Sequence, residues 1–204
     1  GLITSSLLGR GRKVTAVEPD PNLFARLIEN PDAASAGHVN ATLASWHDAE
    51  GMRGSFDTVL YVNVLEHIEN DVDELSLASR MCSRDGNIVV FVPATPSLYG
   101  TMDWMSAHFR RYRMAELETV AKFADLDVVE SFYFDPVGKF PYWMMYRVLK
   151  KRSLGGGAVG IYDKVIIPMS NAIPRSVARR TGGKNLVMIA RPRAAVNRPA
   201  DQTT

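Results

Sequence analysis

The sequence predicts an α/β chain built on a Rossmann-like, doubly wound, mostly parallel sheet, with its first strand missing and a helical insertion before its last strand. Three observations predict it. Short apolar runs alternate with amphipathic stretches over the first two thirds of the chain, the rhythm of strand and helix in α/β folds. The runs "FDTVLYVNVL" and "NIVVFVP" are apolar almost throughout, as strands covered on both faces require. The opening "GLITSSLLGRGRKVTAVEPDP" places a glycine, a helical stretch, a β-type run and a terminal acid in succession. That is the order of a nucleoside site, in which the acid holds ribose hydroxyls.

Leu2 to Leu8 is expected to be a helix and Lys13 to Val17 a strand ending on Glu18. Pro19-Asp20-Pro21 turns the chain into a helix running to about Glu29, with Leu23, Leu27 and Ile28 on one face. "HVNATLAS" is expected to form a short strand and "FDTVLYVNVL" a buried one. In "EHIENDVDELSLASRMCS" a turn leads into a helix capped by Asp71, with Leu75, Ala78 and Met81 as its buried stripe. Asp85-Gly86 ends that helix before the strand "NIVVFVP".

Beyond Pro93 the rhythm changes. "ATPSLYGTMDWMSAHFRRYR" mixes aromatic, charged and turn residues and reads as a long active-site loop. "MAELETVAKFADL" is an amphipathic helix and "DVVESFYFD" a strand, whose Phe132, Tyr133 and Phe134 read as core. Two helices split by Gly155-Gly156-Gly157 follow, then the strand "NLVMIARP". The chain therefore reads as one domain over 1–192, with a lid over 94–113, an insertion over 136–173 and a disordered tail over 193–204.

At 204 residues with 46% apolar content the chain can bury a core. No apolar run approaches the roughly 18 residues of a membrane span. A single cysteine, Cys82, excludes an internal disulfide and a cysteine zinc cluster. With no secretory leader visible, a reducing cytoplasm is the expected compartment. A net charge of +2 argues against nucleic acid as partner, although Arg175 to Arg198 carries seven basic residues and no acid. That run is either a solvated face or an attraction for an anionic substrate or membrane surface. The aromatic, basic segment 138–152 suits a cap over a hydrophobic substrate first, peripheral membrane contact second, or a dimer face.

Taken together, "KVTAVEPD", "FDTVLYVNVLEHIEND", "DGNIVVFVPA" and "HFRRY" resemble the class I S-adenosylmethionine-dependent methyltransferases, in the branch that includes small-molecule and lipid-quinone O-methyltransferases. The resemblance covers roughly residues 1–135, and "NVLEHI" is its most specific part. It implies the class I methyltransferase fold, S-adenosylmethionine as cofactor, and methyl transfer to a small, hydrophobic or lipid-like acceptor. Gly1 would then close a glycine turn against the cofactor, Glu18 with Pro19 would hold the ribose, and Ser45 or Trp46 would meet the adenine. Asn63 and Val64 would lie beside the methyl group. His67 or His108 would act as base for a hydroxyl acceptor, and Glu66, Arg110, Arg111 and Tyr112 would meet substrate from the lid.

Asn63, Glu66 and His67 stand at i, i+3 and i+4, which places them on one face of a turn. Some related O-methyltransferases bind a divalent metal with a Glu-x-x-Glu-His set. Here Asn63 replaces one carboxylate, so no metal is expected. His67 and the Arg110–Tyr112 cluster also admit purely structural roles. So does Glu18, as a surface acid.

In the class I sheet a strand missing before Gly1 would leave "KVTAV" and "DTVLYV" each with an unpaired edge. The expectation is that residues 1–204 alone bind S-adenosylmethionine poorly, and that a form extended upstream by about 30 to 40 residues binds it. Two other classes remain open: an inactive remnant or scaffold of this fold, and an NAD-dependent oxidoreductase, in which "NVLEH" has no obvious place.

Overall fold

A computed structural model describes residues 2–9, 11–33, 35–39, 42, 52–152, 160 and 162–193. The chain divides into two compact units, Gly1–Arg53 and Gly54–Thr204. Gly1, Ser45 and Trp46, most of "HVNATLAS", the Gly155–Gly157 break and residues 194–204 lie outside the described residues.

In the first unit α1 (Leu2–Leu7) precedes β1 (Thr15–Val17), α2 (Pro21–Ile28), a 3-10 turn (Pro31–Ala33) and β2 (Gly37–Val39). The strands pair in parallel, Thr15 opposite Gly37 and Val17 opposite Val39. α2 begins where the sequence places it. Asp20 is its N-cap, its Oδ1 accepting from the amides of Asn22 at 2.8 Å and Leu23 at 2.9 Å, and Pro21 takes the first helical position, where no amide is needed. Of the expected apolar face only Leu27 is buried, while Leu23 and Ile28 are about half exposed.

The second unit carries β3 (Phe56–Val62), a 3-10 turn (Leu65–His67), α3 (Asp71–Met81), β4 (Cys82–Pro93), α4 (Thr101–Met105), α5 (Met114–Phe123) and β5 (Leu126–Phe134). The insertion follows. α6 (Lys139–Tyr142) widens into a π-helical turn (Trp143–Val148); a second such turn (Tyr162–Ile166) leads into α7 (Ile167–Asn171) and α8 (Arg175–Thr181), before β6 (Asn185–Pro192). The sheet order is β3-β4-β6-β5. β3 and β4 are parallel, and β6 is antiparallel to both of its neighbours. β3, β4 and β5 therefore run in one direction and their carboxyl ends share one edge.

One face of this sheet holds the core. Ile88, Val90 and Val92 of β4 and Leu186, Met188 and Ala190 of β6 are fully buried, and α3 and α5 pack over them with Leu75, Ala78, Met81, Leu117 and Ala121. Each such side chain contributes about 1.5–3 kcal/mol when fully buried. The residues between them, Val89, Phe91, Val187 and Ile189, are half-buried, so β4 alternates where the sequence suggested burial on both faces. β3 departs further. Among the described residues it pairs only with β4, and of its own residues only Tyr61 is buried, while Leu60 is exposed.

The cap of α3 is also corrected. Asn70, not Asp71, accepts from the Asp73 amide at 3.3 Å, which frees Asp71 for a buried role. α3 ends at Met81, and β4 starts at once with Cys82. Gly86 thus lies within the strand, where a Cβ would meet the Asp57 carbonyl oxygen at 2.8 Å and Cys82 Sγ at 2.6 Å.

Candidate active site

The backbone takes left-handed turns just past the carboxyl ends of three strands: Asn63 after β3 (φ 51°), Thr95 after β4 (φ 58°) and Asp135 after β5 (φ 56°). Non-glycine residues in this region are strained by about 1–3 kcal/mol each, and such residues cluster at functional sites. In open α/β sheets the carboxyl-end edge is where ligands bind.

After Asn63, whose amide donates to the Phe91 carbonyl at 2.9 Å, the chain makes the turn Leu65–His67. Leu65 and Glu66 are fully buried, and His67 faces solvent. The expected shared face of Asn63, Glu66 and His67 does not form, because Asn63 is exposed and lies outside the turn. Its place beside Glu66 and His67 is taken by His108. The Phe109 amide donates to the Glu66 carbonyl at 2.8 Å, and Ala107 (φ 54°) turns the chain just ahead of His108. The two imidazoles meet edge to face with centroids 4.7 Å apart.

Behind His108 stands Asp103, on α4, a residue the sequence gave no reason to select. It is fully buried. Its Oδ1 accepts from Arg111 Nε at 2.7 Å and lies 3.0 Å from His108 Nδ1; its Oδ2 accepts from the Gly100 amide at 3.0 Å and the Tyr142 hydroxyl at 3.1 Å. Burial alone would raise this carboxyl, but the hydrogen bonds from His108 and Arg111 and the guanidinium charge outweigh it and hold it below the usual range. Asp103 is an ionised carboxylate with its acceptor sites filled.

Glu66 is the opposite case. Both carboxylate oxygens are buried and lack a hydrogen-bond donor; His108 Nε2 lies 3.9 Å from Oε1, beyond hydrogen-bonding range. Burial raises its pKa to about 7, against the opposing pull first of its own backbone amide and then of His108 and Arg111. His67 is lowered, first by desolvation and then by the neighbouring His108, against the pull of the Ser106 and Ala107 carbonyls.

The expected lid is an internal strap rather than a mobile flap. Tyr112 is 2% exposed and Arg111 5%. Tyr112 donates to Asp71 Oδ2 at 2.9 Å, beside Arg110 Nη1 at 2.7 Å, and its backbone bridges Ala94. Arg111 Nη1 donates to the Ala94 carbonyl at 2.9 Å, and its guanidinium lies 4.5 Å from the Tyr142 ring centroid. These side chains fix the loop to the strand ends. The surface of the strap is apolar: Trp104 is 71% exposed, Met105 48% and Phe109 54%. From the insertion, α6 supplies Tyr142, which bonds Asp103, and the π-helical turn after it supplies the buried Tyr146.

One ligand atom each from Glu66, His67 and His108 falls within a 4.8 Å circle, the group of that kind found among the described residues. Metal–nitrogen and metal–oxygen bonds of about 2.1 Å set ligand edges of roughly 3.0–3.4 Å, against 3.9 Å between Glu66 Oε1 and His108 Nε2.

Glu18 and Pro19 belong to the first unit. Glu18 follows β1, and its Oε1 accepts from the Asp20 amide at 3.0 Å. An acceptor-only side chain at a strand end, followed by a capped helix, fits the part of a ribose holder. In the second unit Asn63 and Val64 are exposed at the end of β3.

Residues 1–90 match the family described as methyltransferase domain. Among curated protein sequences nothing matches. Among solved structures the chain resembles the 1,6-didemethyltoxoflavin N1-methyltransferase of Burkholderia thailandensis, bound to 1,6-didemethyltoxoflavin and S-adenosylhomocysteine, with a TM-score of 0.54, 18% identity, and coverage of 94% of this chain and 66% of that one. It also resembles S-adenosylmethionine-dependent methyltransferases from Archaeoglobus fulgidus (0.52, 16%, 93% and 92%) and Mesorhizobium loti (0.56, 11%, 88% and 80%). At these identities the likeness shows the fold, and the chain spans just under two thirds of the Burkholderia enzyme.

Proposed function

We propose, from the premise that this chain is a class I S-adenosylmethionine-dependent methyltransferase in fold and in the sequence of residues 1–90, that it transfers a methyl group to a hydroxyl of a small, hydrophobic or lipid-like acceptor. The observation that carries the reading is the pairing of a buried polar cluster with an apolar rim. His67 opens to solvent, His108 is 12% exposed, and Trp104, Met105 and Phe109 border them in sequence. That surface would desolvate an apolar acceptor and hand its hydroxyl to an imidazole.

S-adenosylmethionine, when bound, supplies a methyl group already activated as a sulfonium. The chain's own part is to bind, orient and dry the acceptor and to remove one proton. In the first unit Glu18 is suited to accept hydrogen bonds from ribose hydroxyls. The acceptor O–H bond breaks, its electron pair stays on oxygen, and the proton forms a new N–H bond at His108 Nε2. His67, held neutral by desolvation and by its neighbour, keeps a second positive charge away from that ring. Tyr142 and α6 close over the site.

The test is to incubate the protein with labelled S-adenosylmethionine and matched hydrophobic phenols, amines and carboxylates, and to follow S-adenosylhomocysteine. Methylation of the phenols, lost in His108→Gln, is expected. Labelling only of amines or carboxylates would overturn the hydroxyl reading.

A second reading concerns location. No helix among the described residues is long and apolar enough to cross a membrane. Phe140, Trp143, Val148 and Leu149 are nevertheless exposed beside Arg147, Lys150, Lys151 and Arg152, which favours peripheral contact with an anionic lipid surface by a protein of the cytoplasm. Co-sedimentation with vesicles containing phosphatidylserine, weakened by salt and by Trp143→Ser, is expected; equal sedimentation with neutral vesicles would contradict it.

A further inference from the structure

Resting on that reading, we propose that Asp103 is the positioning residue of this site: it holds His108 with Nδ1 as donor, so that Nε2 is the nitrogen left to take the acceptor's proton. Neither the matched family description nor the similar structures assign a part to this aspartate.

The argument is one of hydrogen-bond accounting. A neutral imidazole carries one proton and one lone pair, and which nitrogen carries which is decided by its neighbours. Asp103 Oδ1 lies 3.0 Å from His108 Nδ1. An ionised carboxylate offers only acceptors, so Nδ1 must be the donor there. Nε2 lies 3.9 Å from Glu66 Oε1, and the ring meets that of His67 edge to face. Asp103 cannot easily turn aside, because Arg111, Tyr142 and the Gly100 amide hold its remaining lone pairs. These donors come from the strap, the insertion and the start of α4. The three segments that close over the strand ends thus converge on the one group that sets the tautomer.

A structural account of Asp103 is also available, since a buried Arg–Asp pair can simply anchor a loop. It differs in what it predicts for His108. An anchor would survive replacement of the histidine and would be indifferent to its tautomer. The positioning role depends on the charge facing Nδ1.

The experiment is long-range ¹H–¹⁵N correlation spectroscopy of the histidine rings in the free protein at neutral pH, with His108→Gln identifying the His108 signals among the four histidines. The wild-type protein is expected to show His108 protonated at Nδ1. In Asp103→Asn the amide nitrogen can donate to Nδ1, and the ring is expected to shift toward the Nε2-protonated form. That variant's kcat is expected to fall on the order of 10²-fold, as for loss of a general base, with little change in KM. Tyr142→Phe, which leaves the charge in place, should keep the wild-type tautomer. A wild-type His108 protonated at Nε2 overturns the proposal even if Asp103→Asn fails to fold. So does a folded Asp103→Asn with an unchanged ring. The tautomer is read without cofactor or acceptor, so an Nδ1-protonated His108 in a protein that forms no S-adenosylhomocysteine would sink the functional reading and leave the positioning intact.

Discussion

Asp103 Oδ1 and His108 Nδ1 lie 3.0 Å apart at the carboxyl-end edge of the sheet, and on the other side of the same imidazole Glu66 presents two buried oxygens with no donor. One ring therefore separates a saturated carboxylate from an unsaturated one. The first is ionised; the second holds its proton up to about pH 7.

That difference makes stability depend on pH. The folded state raises Glu66 from 4.5 to about 7, so between those values the folded protein binds a proton that the unfolded chain has released. Stability attributable to this group falls as pH rises through that window, by on the order of 3 kcal/mol when complete. Glu66→Gln, which resembles the protonated acid, is expected to melt near the wild type at pH 5 and clearly higher at pH 8. An identical shift at both pH values would argue that Glu66 is not held protonated.

The rate should carry a second signature. His67 is lowered from 6.5, and its protonation would place a cation beside the ring that must accept one. Activity is expected to be lost as pH falls through a midpoint below 6.5, and His67→Asn is expected to move that limb. Stopped assays of S-adenosylhomocysteine formation from pH 5 to 8 would decide it; a limb above 7 in both proteins would contradict it.

The strap has its own anchor. Tyr112 and Arg110 both bond Asp71 Oδ2, so Tyr112→Phe removes one bond and leaves the ion pair. A loss of about 1 kcal/mol in a urea melt is expected, against about 1–3 kcal/mol for Asp71→Ala, which strands Arg110 and the hydroxyl. Equal, negligible losses would show that the strap is held elsewhere.

Metal removal should matter little, because beside Glu66, His67 and His108 the neutral Asn63 stands where a further carboxylate ligand would be. Extensive EDTA treatment is expected to change the initial rate less than about twofold. Abolished activity restored by added zinc or magnesium would require those three side chains to close around an ion.

How much of this was legible in the sequence differs from element to element. The start of α2 after the Pro19-Asp20-Pro21 turn, the buried stripe Leu75, Ala78 and Met81, and the last strand follow from local periodicity and turn chemistry, which a sequence displays directly. The two sides of β3 were misjudged because its apolar run says nothing of which neighbours it pairs with. Asp71 was mistaken for a cap because Asn70 serves equally well one residue earlier, and only the tertiary partners Arg110 and Tyr112 separate them. His67, Glu66 and His108 could be named from their chemistry. Asp103 could not, since the donors that define it come from residues 100, 108, 111 and 142, and no local pattern records such a convergence.

The most direct test of methyl transfer from S-adenosylmethionine is calorimetric titration of S-adenosylmethionine and, separately, NAD into the full-length protein bearing this sequence, with Glu18→Ala in parallel. Saturable binding of S-adenosylmethionine alone is predicted, weakened about 10- to 100-fold by loss of the ribose-holding carboxylate. Binding of NAD, or no heat from either, would contradict the account.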